Sequence, residues 1–467
     1  MSLIPKDEMD LLQEIVDEDS CMSINHILDG FTLSDFQTKA IVWCIIRKRM
    51  MISLDTGLGK TLVAAAIMNL ISKEGKWIFM CQLNSLNQTY NKLHKCLRYK
   101  RIVATDSSRR SMNQIMNLNM NGIDVILITY ESFKDIEFNN WILRNKDRFI
   151  GIFLDESHNV ANNTSRIHDY LKLMMQHSFE YQYFLTATPL RISPIQFINQ
   201  IAIMDKYLVS NPEKLAMICQ VYENGNVIGY KNLDAISKLL SPRYLNISRE
   251  DIGCKGNYEP IFIPIPNDSN IPAKQTPNNP KIQKSNPNGV PIQILVELVQ
   301  QLIIKGKKGI IYANLNKYKT LIVNNISQFC TVGEISGRVS VPERARLQND
   351  FNNGRLQVLV INVTESLDLT CDFIIFYELT SLYKQVIGRG ERGLVGRDLQ
   401  IYFMVITDNY DMDFFFKHVY QCGILLESLC HKNISELHGI HDQIKEHLSG
   451  TQKLLLEDIL SMYEEEL

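Results

Sequence analysis

The sequence predicts an α/β protein: two parallel-sheet domains in tandem, a helical accessory segment after the first, and helices at the C-terminal end. Short apolar runs alternate with much longer polar or helical stretches, the signature of parallel strands joined by crossover helices. A Pro- and Asn-dense stretch divides that alternation into two blocks, and 467 residues suffice for about three domains of typical size.

In chain order, residues 1–30 read as a short acidic helix and connector. The segment FTLSDFQTKAIVWCIIRKR places Phe36, Ala40, Trp43 and Cys44 at helical spacing and leads straight into an apolar strand. The runs MMISL, WIFMCQL, DVILITY, IGIFLDE and YFLTATP then supply the strands of a first domain over 31–190. Residues 191–263 lose the strand rhythm and read as a helical accessory segment, as in SPIQFINQIAIMDKYL and NLDAISKLLS. Residues 264–291, PIPNDSNIPAKQTPNNPKIQKSNPNGVP, have few large apolar residues and are expected to be a solvent-exposed linker. A second domain over 292–410 follows, with a helix at ILVELVQQLI and strands at GIIYANL, QVLVINV, FIIFYEL and QIYFMVI. Residues 411–467 read as terminal helices ending in EEEL.

Composition narrows the function. With 45% hydrophobic and 21% charged residues the chain has material for more than one core, which excludes wholesale disorder. Lys plus Arg number 49 against 51 Asp plus Glu, a net charge of −2, so a polycationic coat is excluded and nucleic acid would be met by a local patch. No apolar run approaches the roughly 18 residues that a membrane span needs, and the first residues, MSLIPKDEMDLLQEIVDEDS, are acidic where a signal peptide is basic. A soluble cytoplasmic protein with no membrane partner is the expectation. Ten cysteines without a CxxC pair argue against a disulfide framework and a zinc ribbon. Cys422, Cys430, His431, His438 and His441 match no ligand spacing and read as parts of helices.

Two segments carry chemistry. LDTGLGKT at 54–61 follows one predicted strand and opens a predicted helix, the context of a P-loop. Asp55, Thr56, Gly57, Leu58 and Gly59 would wrap the phosphates with backbone N–H groups, Lys60 would reach the β- and γ-phosphates, and the Thr61 hydroxyl would ligate Mg²⁺. Leu54 stands where the first glycine of GxxxxGK would be. In IGIFLDESHN a strand delivers Asp155 and Glu156 at its C-terminal end, where parallel sheets place ligands. Asp155 suits Mg²⁺, and Glu156 suits orienting and deprotonating an attacking water.

These motifs, in this order, resemble helicase superfamily 2 from about Leu33 to about Ile406. The resemblance implies two tandem RecA-like domains with ATP and Mg²⁺ clamped between them. Gln37 in LSDFQ matches the adenine-reading glutamine, and DESH at Asp155–His158 matches the DEAD/DEAH-type box. TATP at Thr186–Pro189 matches the motif that couples hydrolysis to movement, so His158, Thr186 and Thr188 are coupling candidates. SGRVSVPERARLQNDFNNG looks like the family's segment with a Gly and a later Glu-Arg before a helix. SLDLT at Ser366–Thr370 resembles a GxDxT-like motif with Ser366 in the glycine's place, which assigns Asp368 to the nucleotide. QVIGRGER at Gln385–Arg392 matches QxxGRxxR, which assigns Gln385, Arg389 and Arg392 to the γ-phosphate.

Within the superfamily the residues resemble SWI/SNF-type translocases: Trp43 after LSDFQ, the GLGKT spelling, ITYESF, SPRYLNISREDIG and GRGERGLVGRDLQIYFMVI. TATP instead of TGTP, and the absence of a long insertion in the second domain, fit a compact relative of the kind carried by large DNA viruses or phages, acting in a host's cytoplasm or nucleus. The implied function is an ATP-dependent DNA helicase or translocase. An RNA helicase or transcription-release factor, and a nucleotide-dependent scaffold that binds nucleic acid without translocating, remain the alternatives. By position, Gln82, Asn84, Thr129, Tyr130 and Asn314 are the candidates for phosphate contact, extended by basic residues at 98–101, 109–110 and 305–308.

Overall fold

The computed structural model describes residues 27–448 except 29, 72–74, 98–99, 163–164, 176–178, 224–225, 254–256, 268–282, 338, 363–366, 391–397, 408–409, 433–436 and 438. The helix expected within 1–30, most of the 264–291 stretch, Ser366 and Arg392 fall outside the described residues. The chain divides into two compact units. The first comprises residues 1–220, 231–252 and 428–431; the second comprises 221–230, 253–427 and 432–467.

Unit 1 is built on seven parallel strands in the order β3-β4-β2-β5-β6-β1-β9. They are β1 (Arg49–Leu54), β2 (Lys76–Cys81), β3 (Ile102–Ala104), β4 (Val125–Thr129), β5 (Phe149–Asp155), β6 (Tyr181–Thr186) and β9 (Tyr244–Ile247). Strands covered on both faces by crossover helices must be apolar on both faces, and Met50 to Leu54 and Trp77 to Cys81 are buried without a break. Trp77 centres one face of the sheet, its ring 5.1 Å from that of Phe153. The indole lies over the bare Cα of Gly151, where a methyl group would overlap it. Gly151→Ala is therefore expected to cost about 1–3 kcal/mol in urea unfolding. A loss below about 0.5 kcal/mol would show that the indole gives way freely.

Unit 2 carries six parallel strands in the order β10-β15-β14-β11-β13-β12. These are β10 (Asn257–Ile265), β11 (Gly309–Tyr312), β12 (Val332–Ile335), β13 (Val358–Ile361), β14 (Phe373–Phe376) and β15 (Asp398–Ile406). A two-stranded sheet joins β7 (Gln220–Glu223) to β8 (Asn226–Tyr230). The fold class of two parallel α/β sheets with accessory and terminal helices is thus observed. Among the described residues no helix is long and apolar enough to cross a membrane.

Two findings depart from the sequence expectations. The segment expected to be helical contributes strands to both sheets: β9 at the edge of the first and β10 at the edge of the second. β10 contains Pro260 and Pro264, which an edge strand tolerates because one side of its backbone has no ladder to feed. Gln283 and Lys284, within the stretch expected to be exposed, are buried. Lys284 Nζ donates to Asp411 Oδ2 at 2.6 Å and to the Met404 carbonyl at 3.1 Å, while the Tyr377 hydroxyl donates to the Lys284 carbonyl at 2.7 Å.

Residues 428–431 complete unit 1 from far along the chain. The Tyr244 hydroxyl donates to the Cys430 carbonyl at 2.9 Å, Asn246 Nδ2 donates to the His431 carbonyl at 2.7 Å, and Ser237 Oγ lies 2.7 Å from His431 Nε2. β9 is thereby held on one side by β1 and clasped at its side chains by this short return.

Candidate nucleotide site

A parallel sheet puts the C-terminal ends of its strands along one edge, and in unit 1 the neighbours β5, β6 and β1 end there on the three segments singled out by sequence. After Leu54 the chain turns through Asp55–Gly59 and enters the helix Lys60–Ile71. Gly57 (φ 91°) and Gly59 (φ 84°) occupy left-handed conformations that a side chain would resist. The helix begins at Lys60, so its first N–H groups face the turn, as a phosphate site requires. Lys60 Nζ donates to the Leu54 carbonyl at 3.0 Å. Gln37 is buried against the same turn: its amide oxygen accepts the Ser34 N–H at 3.0 Å, and Nε2 donates to the Leu58 carbonyl at 3.0 Å. A Cβ on Gly59 would overlap that amide nitrogen, so the glycine also makes room for Gln37.

Asp155 ends β5, and Glu156 follows with φ 53° and ψ 55°, a left-handed conformation that costs a non-glycine residue on the order of 1 kcal/mol or more. Burial pushes the Asp155 carboxyl up to about 7, the neighbouring Glu156 carboxylate adds to the rise, and the Lys60 ammonium opposes it. The P-loop lysine and the acidic pair therefore act on one another. Glu156 Oε2 is buried and has no hydrogen-bond partner among the described residues; His158 Nδ1 is 3.3 Å away. Burial first, then the Arg191 and Lys60 charges, hold the His158 imidazole well below its ordinary range, so the ring is neutral at physiological pH.

That neutral ring connects the acidic pair to the TATP segment. His158 Nδ1 lies 3.4 Å from Thr186 Oγ1, which in turn accepts the Thr188 N–H at 3.0 Å. Gln200, on the helix Pro194–Met204, supplies a second connection that the sequence reading missed. Its side-chain oxygen accepts from Ser157 Oγ at 2.7 Å, and Nε2 donates to the Pro189 carbonyl at 2.6 Å. The only sequence signal was a glutamine on the apolar face of that helix, where a buried amide needs partners.

The nucleic-acid candidates divide by burial. Asn84 is exposed and Gln82 half-buried after β2, whereas Thr129 and Tyr130 are buried. Thr129 closes a local network with Ser132, and the Tyr130 hydroxyl donates to the Asp155 carbonyl at 2.8 Å. Tyr130 thus fastens the loop after β4 to the acidic pair.

In unit 2, Asn314 is exposed after β11, with its N–H donating to Glu378 Oε2 at 2.7 Å. Asp368 is exposed, its carbonyl accepting from Asn352 Nδ2 at 2.9 Å. Gln385 is buried and Arg389 half-buried on the helix Tyr383–Gly390. The Leu369 N–H donates to the Arg389 carbonyl at 2.9 Å, and the Cys371 N–H to the Gly390 carbonyl at 3.3 Å. The SLDLT segment is thereby hydrogen-bonded to the end of the arginine-bearing helix.

Residues 30–191 match the family model described as type III restriction enzyme, res subunit. The match takes in the P-loop, the DESH box and the TATP segment. Among solved structures, the Sulfolobus solfataricus SWI2/SNF2 ATPase core in complex with dsDNA is 16% identical, with 92% of this chain and 97% of that chain covered and a TM-score of 0.43. No curated protein matches the chain.

Proposed function

We propose that this chain is a superfamily 2 motor of compact SWI/SNF type, a DNA helicase or translocase that hydrolyses ATP, of viral or phage kind. The observation that carries the reading is one sheet edge that holds both the phosphate-binding turn after β1 and the acidic pair after β5, with β6 between them and the Lys60 charge opposing the raised proton affinity of Asp155. Lys60 and the N-terminus of its helix hold the phosphates, and Gln37, already joined to the turn, borders the nucleotide. A buried carboxyl with a raised proton affinity beside a second acid is a site that a divalent cation relieves, so Asp155 fits Mg²⁺, and Thr61, second in the helix after the turn, is its fellow ligand in this reading on the strength of GKT. The ion, when bound, would stabilise charge on the phosphates. Glu156 orients and deprotonates the attacking water, and His158, Thr186 and Thr188 relay the outcome. Gln385, Arg389 and Arg392 act on the γ-phosphate in this reading, on the strength of QVIGRGER, as Asp368 does on the nucleotide from SLDLT. Gln82, Asn84 and Asn314 take phosphate contacts, while Thr129 and Tyr130 shape the loop beside them.

The test is steady-state ATP hydrolysis with no polymer, duplex DNA, single-stranded DNA or single-stranded RNA. Stimulation by DNA is expected. Arg389→Ala is expected to keep nucleotide affinity within about twofold and lose stimulated turnover about a hundredfold, because the guanidinium acts mainly on the transition state. Stimulation by RNA alone would make the protein an RNA motor, and indifference to every polymer would overturn the motor in favour of a scaffold.

A further inference from the structure

The P-loop is held from outside its own motif. β9 pairs with β1 from Met51↔Tyr244 to Leu54↔Ile247, so the chain leaves β9 beside the point where the phosphate-binding turn begins. The Asp55 N–H donates to the Ile247 carbonyl at 3.2 Å. The Arg249 N–H then donates to Asp55 Oδ2 at 3.0 Å, and Arg249 Nη2 donates to the Thr56 carbonyl at 3.1 Å. The turn that presents Arg249 is itself fixed, because Asp251 Oδ2 accepts both the Ser248 N–H at 2.7 Å and the Ser248 hydroxyl at 2.8 Å.

Leu54, in place of the motif's first glycine, explains why such a brace is needed. Both glycines of the turn lie in its second half, at Gly57 and Gly59, and leave Asp55 and Thr56 without a residue whose backbone preference sets their shape. We propose that Arg249 is a positioning residue of the nucleotide site: it fixes the first half of the P-loop in its phosphate-receiving shape, a role that no sequence motif of the site contains. This inference rests on the reading of Lys60 and its turn as a nucleotide site.

The experiment measures the Kd of a fluorescent ATP analogue, the kcat and KM for ATP, and DNA affinity on the full chain. The variants are Arg249→Ala, Arg249→Lys and Lys60→Ala, with melting temperatures as the check on folding. Arg249→Ala is expected to weaken nucleotide binding and raise KM about tenfold, the usual effect of losing a hydrogen bond from a charged donor. DNA affinity should stay within about twofold, which a general loss of structure would not allow. Arg249→Lys keeps one donor for the Thr56 carbonyl and is expected to recover most of the affinity. Where Arg249→Ala fails to fold, Arg249→Met keeps the apolar stem and carries the same expectation. A folded Arg249→Ala or Arg249→Met with unchanged Kd and KM, beside a Lys60→Ala variant that has lost turnover, overturns the brace alone. A wild-type chain that does not bind the analogue overturns the nucleotide site and the brace together.

Discussion

Replacing Lys60 by alanine is expected to lower ATP turnover by at least about a hundredfold while leaving the protein folded. Its ammonium is the one cation that the P-loop sequence aims at the β- and γ-phosphates, and charge develops there as the phosphoryl group departs. The same charge opposes the proton affinity of Asp155, so its loss raises that affinity further. Structurally the side chain is only half-buried, and it donates a hydrogen bond to the Leu54 carbonyl. Stability should therefore fall by no more than about 1 kcal/mol. Turnover in the presence of DNA, read beside a thermal melt, checks both halves. A folded variant that keeps a tenth of the wild-type rate would place hydrolysis elsewhere.

Lys284→Ala is expected to destabilise unit 2 by about 3–5 kcal/mol, the largest effect on stability anticipated here. Lys284 and Asp411 have side-chain exposures of 2% and 11%, so truncating the lysine leaves a carboxylate that water barely reaches. Asp411 Oδ2 also accepts the Ile406 N–H at 3.1 Å, which ties the pair to the end of β15. The double variant Lys284→Met with Asp411→Leu is expected to recover most of the loss, since exchanging a buried pair for apolar groups removes the desolvation cost of both charges. Urea unfolding of the single and double variants tests this. A loss below about 1 kcal/mol for Lys284→Ala would mean that solvent enters readily and rescues the carboxylate.

The same lysine shows where sequence ceases to be informative. PKIQKSNPNG has the composition of a linker, and composition does not reveal that one of its lysines finds an aspartate well over a hundred residues away. Local signals served well where the physics is local. MMISL, IGIFLD and GIIY are strands because continuous apolar runs bounded by polar turns suit a sheet covered on both faces. Edge strands escape that rule. β9 has four residues, and β10 carries two prolines and alternating exposure, so neither resembles the central strands that define the pattern.

The nucleotide site was legible to the same degree. Asp155 and Glu156 stand at the end of β5, Lys60 opens the helix after the turn that follows β1, and all three announce themselves by type and spacing. Gln200 and Arg249 are joined to the site by long-range hydrogen bonds; Arg249 lies within SPRYLNISREDIG, whose resemblance to SWI/SNF-type translocases assigned it no role. Thr129 and Tyr130, candidates for phosphate contact by their position, are buried, and their side chains make internal hydrogen bonds with Ser132 and the Asp155 carbonyl.

The return of residues 428–431 to unit 1 bears on how the protein is made. A nascent chain leaves the ribosome N-terminus first, and β9 is complete at Ile247 while the partners of its Tyr244 and Asn246 side chains have yet to be translated. The whole of 253–427 is synthesised in the interval. The two units are therefore nested in synthesis rather than consecutive, and the strand that leads to Arg249 is fully secured only after the second sheet has emerged. A fragment cut at residue 252 would carry every sequence motif of the P-loop, DESH and TATP segments and still lack the last four residues that its own edge strand requires.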